Sequence, residues 1–134
     1  MIIIKKLDDN DLDKARELYC EAFSKEMRVM SIPLVGVIIG VYLDDMLIGI
    51  AQIDYINHVF ENERCGYINS FCIKEEYRHM GYGTRLLDYC TCYIKENGGN
   101  RILLTSNKNR VYAHMLYKKF GFMEVDTVLL NKYI

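Results

Sequence analysis

The sequence predicts an α/β fold built on one mixed sheet with helices on both of its faces. The apolar segments follow the order strand, helix, a weaker helical segment, three strands, helix, strand, helix, strand. The strand–helix–strand unit in the middle implies a parallel pair, because right-handed crossovers return the chain to the same sheet. Two β-rich runs separated only by Asp44 and Asp45 imply an antiparallel hairpin. These two features together require a sheet of mixed direction.

The first half of the chain contains a strand, a helix and three further strands. Residues 2–6 form the first strand, and Asp8 and Asp9 are expected to cap the helix that follows. Apolar residues recur at helical spacing from 12 to 23, and the segment SKEMRVMSIP, which contains Pro33, ends that helix. The runs GVIIGVYL and MLIGIAQIDYI form the hairpin, and CGYINSFCI forms the next strand.

The second half continues with two helices separated by a short strand. An apolar stripe over residues 83–94 predicts a helix that stops at the glycines of ENGGN. RILLTS reads as a short buried strand, and residues 113–120 as a short helix that ends at Gly121. The last segment, FMEVDTVLLNKYI, is predicted to form one strand or two.

Composition limits the classes of function. The 134 residues suit a single domain, 1–134, and the net charge of −1 argues against a general nucleic-acid or membrane-surface role. The five cysteines form no CxxC pair, which favours reduced thiols in a cytoplasmic protein and gives no metal site. The N-terminus lacks the pattern of a signal peptide, and the longest apolar stretch is too short to span a bilayer.

The stretch RHMGYGTRLL places two glycines at the start of a predicted helix. A dinucleotide-binding fingerprint needs a third glycine, but Leu86 stands at that position. A P-loop needs Gly-Lys-Ser/Thr, whereas Gly83 is followed by Thr84. Both of these phosphate-binding interpretations therefore fail. Backbone N–H groups at a helix N-terminus still suit phosphate oxygens, so a third pattern has to be considered.

Arg78, Gly81 and Gly83 form the pattern Arg-x-x-Gly-x-Gly after a strand and a short polar connection. This context resembles the acyl-CoA-binding motif of the GNAT superfamily of N-acetyltransferases. The later segment NRVYAHMLYKKFGF is similar to the GNAT segment that ends in A-x-x-x-Y-x-x-x-G-F, and it includes the Arg and Ala-His that some members carry. The matching residues are Arg110, Ala113, His114, Tyr117, Gly121 and Phe122.

The resemblance covers essentially the whole chain and implies a fold and an activity. The implied fold is a mixed, mostly antiparallel sheet with a central parallel pair. The implied activity is acetyl-CoA-dependent N-acetylation of a primary amine, by direct transfer through a ternary complex and without a metal. The acceptor could be a small metabolite amine, a polyamine, an aminoglycoside or a protein amine, and the 134-residue length favours a small molecule. A homodimer is compatible with it. Two alternatives stay open, namely a non-catalytic acyl-CoA-binding or regulatory module, and an enzyme that acetylates protein amines.

The resemblance also implies which residues bind acetyl-CoA. The strand segment before the loop would hold the pantetheine arm through its backbone, and the glycine loop would hold the pyrophosphate. The implied cofactor-binding residues are Phe71, Cys72, Ile73, Arg78, His79, Met80, Gly81, Tyr82, Gly83, Thr84 and Arg110.

Tyr117 is the residue that the resemblance implies as the general acid, since a phenol can protonate a departing thiolate. Asn69 stands where several relatives carry a glutamate base, and an amide is no base at neutral pH. Deprotonation of the amine by water or by one of four side chains stays open. These side chains are Glu26, Asp54, Glu63 and His114.

The acceptor pocket is expected to involve the segment SKEMRVMSIP, the strand around Tyr67 and Asn69, and the final strands. The acidic residues near these segments would suit a cationic amine.

Overall fold

The computed structural model describes residues 1–28 and 30–134 of the chain. The strands are β1 (Ile2–Lys6), β2 (Val37–Leu43), β3 (Met46–His58), β4 (Glu63–Ile73) and β5 (Arg101–Leu104). The helices are α1 (Leu12–Phe23), α2 (Tyr82–Glu96) and α3 (Val111–Lys119). Short 3-10 turns lie at Asp9–Asp11, Val59–Glu61 and Glu75–Tyr77.

The five strands form one sheet in the order β1-β2-β3-β4-β5. Neighbouring strands are antiparallel except for β4 and β5, which are parallel. The hairpin between β2 and β3 turns at Asp44 and Asp45, whose φ angles are 47° and 69°. Positive φ at both central residues is the geometry of a type I′ turn, which closes two-residue hairpins. The predicted hairpin and the mixed, mostly antiparallel sheet with a parallel pair are therefore confirmed.

Helices cover both faces of the sheet, as predicted. Ala15 and Leu18 of α1 pack with Ile50 in one apolar cluster, and Leu86 of α2 packs with Ile68 in a second cluster. Burial of these side chains is the main favourable contribution to the stability of both layers. The amphipathic stripes of the sequence therefore face the sheet from opposite sides.

The predicted strand or strands over FMEVDTVLLNKYI are wrong. Residues 122–134 form no strand in the structure, and apolar side chains there lie open to solvent, with Met123 86% and Leu130 85% exposed. β propensity expresses fit to a half-buried, pleated surface, and this segment does not meet one. Because no strand is added beside β5, the parallel pair lies at the edge of the sheet rather than at its centre.

The expected capping of α1 by Asp8 and Asp9 is also wrong. Asp11 precedes the first helical residue, and neither Asp8 nor Asp11 makes a side-chain capping hydrogen bond. The Asp11 carboxylate instead accepts a hydrogen bond of 2.8 Å from the hydroxyl of Tyr42 on β2. The start of α1 is therefore held by a hydrogen bond from a distant strand and not by a local side-chain cap. No helix within the described residues has the length and hydropathy to cross a membrane.

Candidate active site

A bulge interrupts the pairing of β3 with β4. Gln52 of β3 lies opposite Asn69, whereas Ile50 lies opposite Cys72, so two residues of β4 stand where β3 has one. Ser70, inside this bulge, has a φ of 55°. A non-glycine residue in that region carries a strain of about 1–3 kcal/mol, which the surrounding structure must support. The bulge breaks the regular ladder and re-aims the side chains on either side of it.

One edge of β4 is open beside this bulge. β4 pairs with β5 only over Cys65–Ile68, because β5 ends at Leu104. From there to Ile73, β4 continues along that edge without a strand partner among the described residues. Open N–H and C=O groups of a strand can pair with an extended amide chain. The segment Phe71–Ile73, predicted to hold the pantetheine arm, lies on this edge.

The glycine loop leads from β4 into the N-terminus of α2. Gly81 precedes the first helical residue with a φ of 87°, and no side chain caps the helix there. A Cβ built on Gly81 would meet no protein atom within 4 Å. The N–H groups of Tyr82, Gly83 and Thr84 belong to the first turn, where helices have no internal acceptors, and the helix dipole favours an anion. The space in front of Gly81 is therefore free of protein atoms, next to N–H groups that suit an anion.

Gly83 lies where three elements converge. A Cβ built on it would come within 3.5 Å of Leu116 in α3 and 4.0 Å of Phe71 in β4. The absence of a side chain at Gly83 thus leaves room between the start of α2, α3 and the open strand.

The remaining residues of the loop differ in what their side chains contact. Arg78 donates from Nε to the carbonyl oxygen of Ile73 at 2.9 Å, which ties the loop to the end of β4. His79 has a φ of 62°, and its ring lies edge-on to Tyr112 of α3 at 5.0 Å between centroids. The side chain of Met80 is exposed. The Nε of Arg78 is therefore used to hold the loop against the end of β4.

Tyr117 lies on α3 and is 6% exposed. Its ring packs edge-on against Phe71 at 6.0 Å and against Phe122 at 5.9 Å. Burial raises the pKa of Tyr117 above its usual value, and the nearby Arg110 guanidinium opposes part of that rise. The hydroxyl therefore keeps its proton at neutral pH, as a proton donor must, and the ring packs against Phe71 of the open segment of β4. Arg110 immediately precedes α3, and its guanidinium lies 5.2 Å from the centre of the Phe23 ring.

The buried thiol of Cys72, next to the bulge, is poorly suited to act as a nucleophile. Burial raises the pKa of Cys72 to about 12, although Arg110 and Arg78 act in the opposite direction. A thiol with that pKa carries almost no thiolate at neutral pH, and the thiolate is the reactive form. Cys72 therefore belongs to the core and does not suit a covalent acetyl intermediate.

A polar cluster beside the bulge was missed by sequence reasoning. Asp54 Oδ2 accepts hydrogen bonds from Gln52 Nε2 at 2.9 Å and from Asn69 Nδ2 at 3.1 Å. The Ser70 hydroxyl donates to Asn69 Oδ1 at 3.1 Å. The signal in the sequence was AQIDYI, where polar residues two apart interrupt an apolar strand and so share one face. Asn69 is therefore held in place by neighbours on two strands.

The four side chains left open as bases lie in different places. Glu63 begins β4, seven residues before Ser70, which is roughly 23 Å along an extended strand. A hydrogen bond from Arg101 lowers the pKa of Glu63, which removes it further from the role of a base. Asp54 belongs to the polar cluster, and Glu26 lines the cavity beside α1. His114 lies on α3, three residues before Tyr117.

A cavity of about 480 Å³ lies between α1, the segment after it and the sheet. Gln52 and Ser70 form its floor at the bulge, and Ala15 contributes from α1. The predicted acceptor segment SKEMRVMSIP supplies several lining residues between 25 and 30, although Val29 lies outside the described residues. From the C-terminal segment only Tyr133 reaches the cavity. The bulge thus lies on a strand with an open edge, and Ser70 within it also lines the cavity.

The chain matches the profile of the Acetyltransferase (GNAT) family over residues 7–122, and it therefore belongs to that family. Among curated proteins, it is 33% identical over 61 residues to the uncharacterized N-acetyltransferase YobR of Bacillus subtilis (strain 168). That alignment covers 46% of this chain and 25% of YobR, so the chain matches about a quarter of the length of this curated relative.

Solved structures share the fold over nearly the whole chain. A predicted acetyltransferase with acetyl-CoA from Clostridium acetobutylicum has a TM-score of 0.78 at 21% identity, covering 98% of this chain and 96% of the other. An aminoglycoside acetyltransferase, meta-AAC0020, from an uncultured soil metagenomic sample in complex with sisomicin has a TM-score of 0.80 at 18% identity, covering 99% and 95%. A transcriptional regulator from Bacillus halodurans C-125 has a TM-score of 0.83 at 17% identity, covering 100% of both chains. The α/β fold implied by the sequence motifs is thus confirmed.

Proposed function

We propose that the protein is an acetyl-CoA-dependent N-acetyltransferase that acetylates a primary amine of a small molecule. The observation that carries this proposal is the open edge of β4 at the bulge, which lies between the N-terminus of α2, Tyr117 and the cavity. An acetyl group bound at that edge would face a proton donor and a space for an acceptor. Membership of the GNAT family and the acetyl-CoA in the Clostridium acetobutylicum structure support the choice of acyl donor.

The donor would be held mainly by backbone groups. The first-turn N–H groups after Gly81 suit the pyrophosphate, because a helix N-terminus favours anions and a glycine allows close approach. The pantetheine amides would pair with the open edge over Phe71–Ile73. Arg78 would act indirectly by fixing the loop to Ile73. No metal has a role in this arrangement.

The transfer itself needs one bond to form and one to break. The neutral amine nitrogen attacks the thioester carbon, the new C–N bond forms, and the C–S bond then breaks. Backbone N–H groups at the β4 bulge would stabilise the oxyanion that develops between these two events. Tyr117 would protonate the departing thiolate and recover a proton from solvent, while the nitrogen loses its extra proton to water in the cavity.

Two properties favour direct transfer within a ternary complex. The thiol of Cys72 at the bulge has its pKa raised to about 12, so it cannot readily carry the acetyl group. The cavity and the open strand edge both adjoin the bulge, so donor and acceptor can be bound together. A cavity of about 480 Å³ is of the size that holds a small organic ligand.

The experiment is an acceptor-panel assay with acetyl-CoA, following thiol release and identifying products by mass spectrometry. Initial rates measured while both substrates are varied should give intersecting reciprocal plots, as a ternary complex requires. Parallel plots would refute direct transfer. If CoA binds and the acetyl group is transferred to a protein or peptide amine but to no small amine, the acceptor is a protein amine and not a small molecule. Binding of CoA without any transfer would identify a non-catalytic acyl-CoA-binding module.

The single-domain assignment over 1–134, the cytoplasmic location and the homodimer stay predictions from the sequence.

A further inference from the structure

The cavity beside α1 is lined by an excess of positive charge. Three basic side chains, Arg16, Lys25 and Arg28, line it with a single carboxylate, Glu26. Within residues 1–28 and 30–134, neither Lys25 nor Arg28 forms an ion pair. The whole chain has a net charge of −1, so this basic character is local. It runs against the expectation that acidic residues would prepare the pocket for a cationic acceptor.

Arg16 is the most constrained of these three residues. Its Nη1 donates to the carbonyl oxygen of Arg28 at 2.8 Å, and its Nη2 lies 3.5 Å from Asp13 Oδ1. The Asp13 side chain is 80% exposed, so water screens this pair strongly. The Nε of Arg16 is buried and has no hydrogen-bond partner among the described residues.

A buried donor without a partner is unfavourable unless something else satisfies it. A guanidinium has a fork of N–H donors that matches a carboxylate, and it binds that group more strongly than a neutral acceptor. Arg16 lines the same cavity as Ser70 at the bulge. A ligand with an amine at one end and an anion at the other can therefore reach both the proposed acetyl position and Arg16.

We propose that the acceptor is an amine that also carries a carboxylate, as amino acids do, and that Arg16 binds this carboxylate with Lys25 and Arg28 nearby. The inference rests on the proposed function, since it names the acceptor class for the same site. Acceptors with several positive charges, such as polyamines and aminoglycosides, are disfavoured because they would place like charges against these basic residues.

The test compares each carboxylated amine with an amine in which a methyl group or a hydrogen atom replaces the carboxylate. The pairs are 6-aminohexanoate with hexylamine, and phenylalanine with phenethylamine. With acetyl-CoA saturating, kcat/KM should favour the carboxylated member of at least one pair by tenfold or more, which equals about 1.4 kcal/mol. Calorimetry on the CoA-saturated protein gives the affinity for each compound independently of turnover.

Three variants test whether the preference in kcat/KM for carboxylated amines depends on the basic residues of the cavity. Arg16→Gln should reduce the preference to less than threefold. Because Arg16 also holds the carbonyl of Arg28, the variant Arg28→Gln provides a second measurement, and its preference should fall without loss of that contact. Lys14→Gln is the matched control, since Lys14 lies on the same helix with its side chain 69% exposed and does not line the cavity. The control should keep the full preference.

Each outcome has a separate meaning. Acetyl transfer with equal kcat/KM for both members of both pairs would overturn the inference and leave the proposed function intact. A preference that survives in Arg16→Gln and Arg28→Gln would also overturn it. If no amine is acetylated, the proposed function fails, and calorimetry alone decides whether Arg16 binds a carboxylate. Carboxylate binding that is lost in Arg16→Gln and kept in Lys14→Gln would then support a carboxylate site at Arg16 without an acceptor role, and no carboxylate binding would overturn that site as well.

Discussion

Gly81→Ala offers the sharpest test of the phosphate-binding loop. Gly81 has a φ of 87°, and a Cβ at this position would meet no protein atom within 4 Å. Without ligand, the substitution should therefore lower the free energy of unfolding by about 1–2 kcal/mol, because an L-residue is strained in the left-handed backbone region. For a chain of this length, that loss lowers the melting temperature by roughly 3–8 °C. If CoA binds at this loop, the added methyl group would also face the pyrophosphate.

We expect Gly81→Ala to weaken CoA binding at least tenfold, which equals about 1.4 kcal/mol of binding free energy. This loss is separate from the loss of stability in the unliganded protein. The matched control is Gly98→Ala. Gly98 has a φ of 83°, and its built Cβ makes only ordinary contacts with Arg64, the nearest at 3.8 Å. It lies past the opposite end of α2, roughly 25 Å away along the helix axis. Gly98→Ala should therefore lose similar stability and keep its affinity for CoA.

The measurements are calorimetric titration with CoA and thermal unfolding of both variants without ligand. Equal CoA affinity in wild type and a folded Gly81→Ala variant would refute the placement of the pyrophosphate at this loop. Equal losses of affinity in the two variants would refute it as well, because the effect would then follow stability and not position.

Three further predictions concern the acid, the core and the surface charges. Tyr117→Phe should lower the turnover number roughly 10- to 1,000-fold with little change in acetyl-CoA affinity, because the lost proton matters mainly in the transition state. Burial raises the pKa of Tyr117, so any alkaline loss of kcat due to this residue should begin only above about pH 10. Steady-state kinetics across pH would reveal an earlier loss. Tyr42→Phe should lower the free energy of unfolding by about 1–3 kcal/mol, as urea titration would measure. The buried Asp11 carboxylate loses the hydroxyl that donates to its Oδ2, and the Asp8 N–H loses its acceptor. Burial raises the pKa of Tyr42 to about 12, so the contribution of Tyr42 to the free energy of unfolding is fully present below about pH 10 and is lost as pH rises toward 12. If the difference in unfolding free energy between wild type and Tyr42→Phe stays constant over this range, the proposed role of the Tyr42 hydroxyl is wrong. Exposed His79 and Arg85 should make CoA bind more weakly at high salt and more tightly than dephospho-CoA, and equal affinities for both ligands would exclude a contact to the 3′-phosphate.

Local patterns predicted most of the secondary structure and the position of the glycine loop. The helical stripes of α1 and α2, the two-residue turn at Asp44 and Asp45, and the glycine before α2 each depend on residues within a few positions of one another. Side-chain periodicity and backbone φ preferences act over that range. For the same reason, the local expectation that Asp8 and Asp9 would cap α1 failed: Asp11 precedes the helix, and its carboxylate accepts a hydrogen bond from the Tyr42 hydroxyl on β2.

The sequence alone determined the family motifs, the order of the three helices and the five strands, and the identity of the candidate proton donor at Tyr117. The weaker helical segment expected after α1 is wrong, since residues 24–28 and 30–36 form no helix. The tertiary structure alone decided the register shift that puts Ser70 at a bulge, the contact of Asp54 with Asn69, and the basic lining that includes Arg16. It also decided that residues 122–134 form no strand, despite their β-forming composition. Motifs and periodicity are carried by neighbours along the chain, whereas register, cavity charge and strand pairing depend on residues that folding alone brings together.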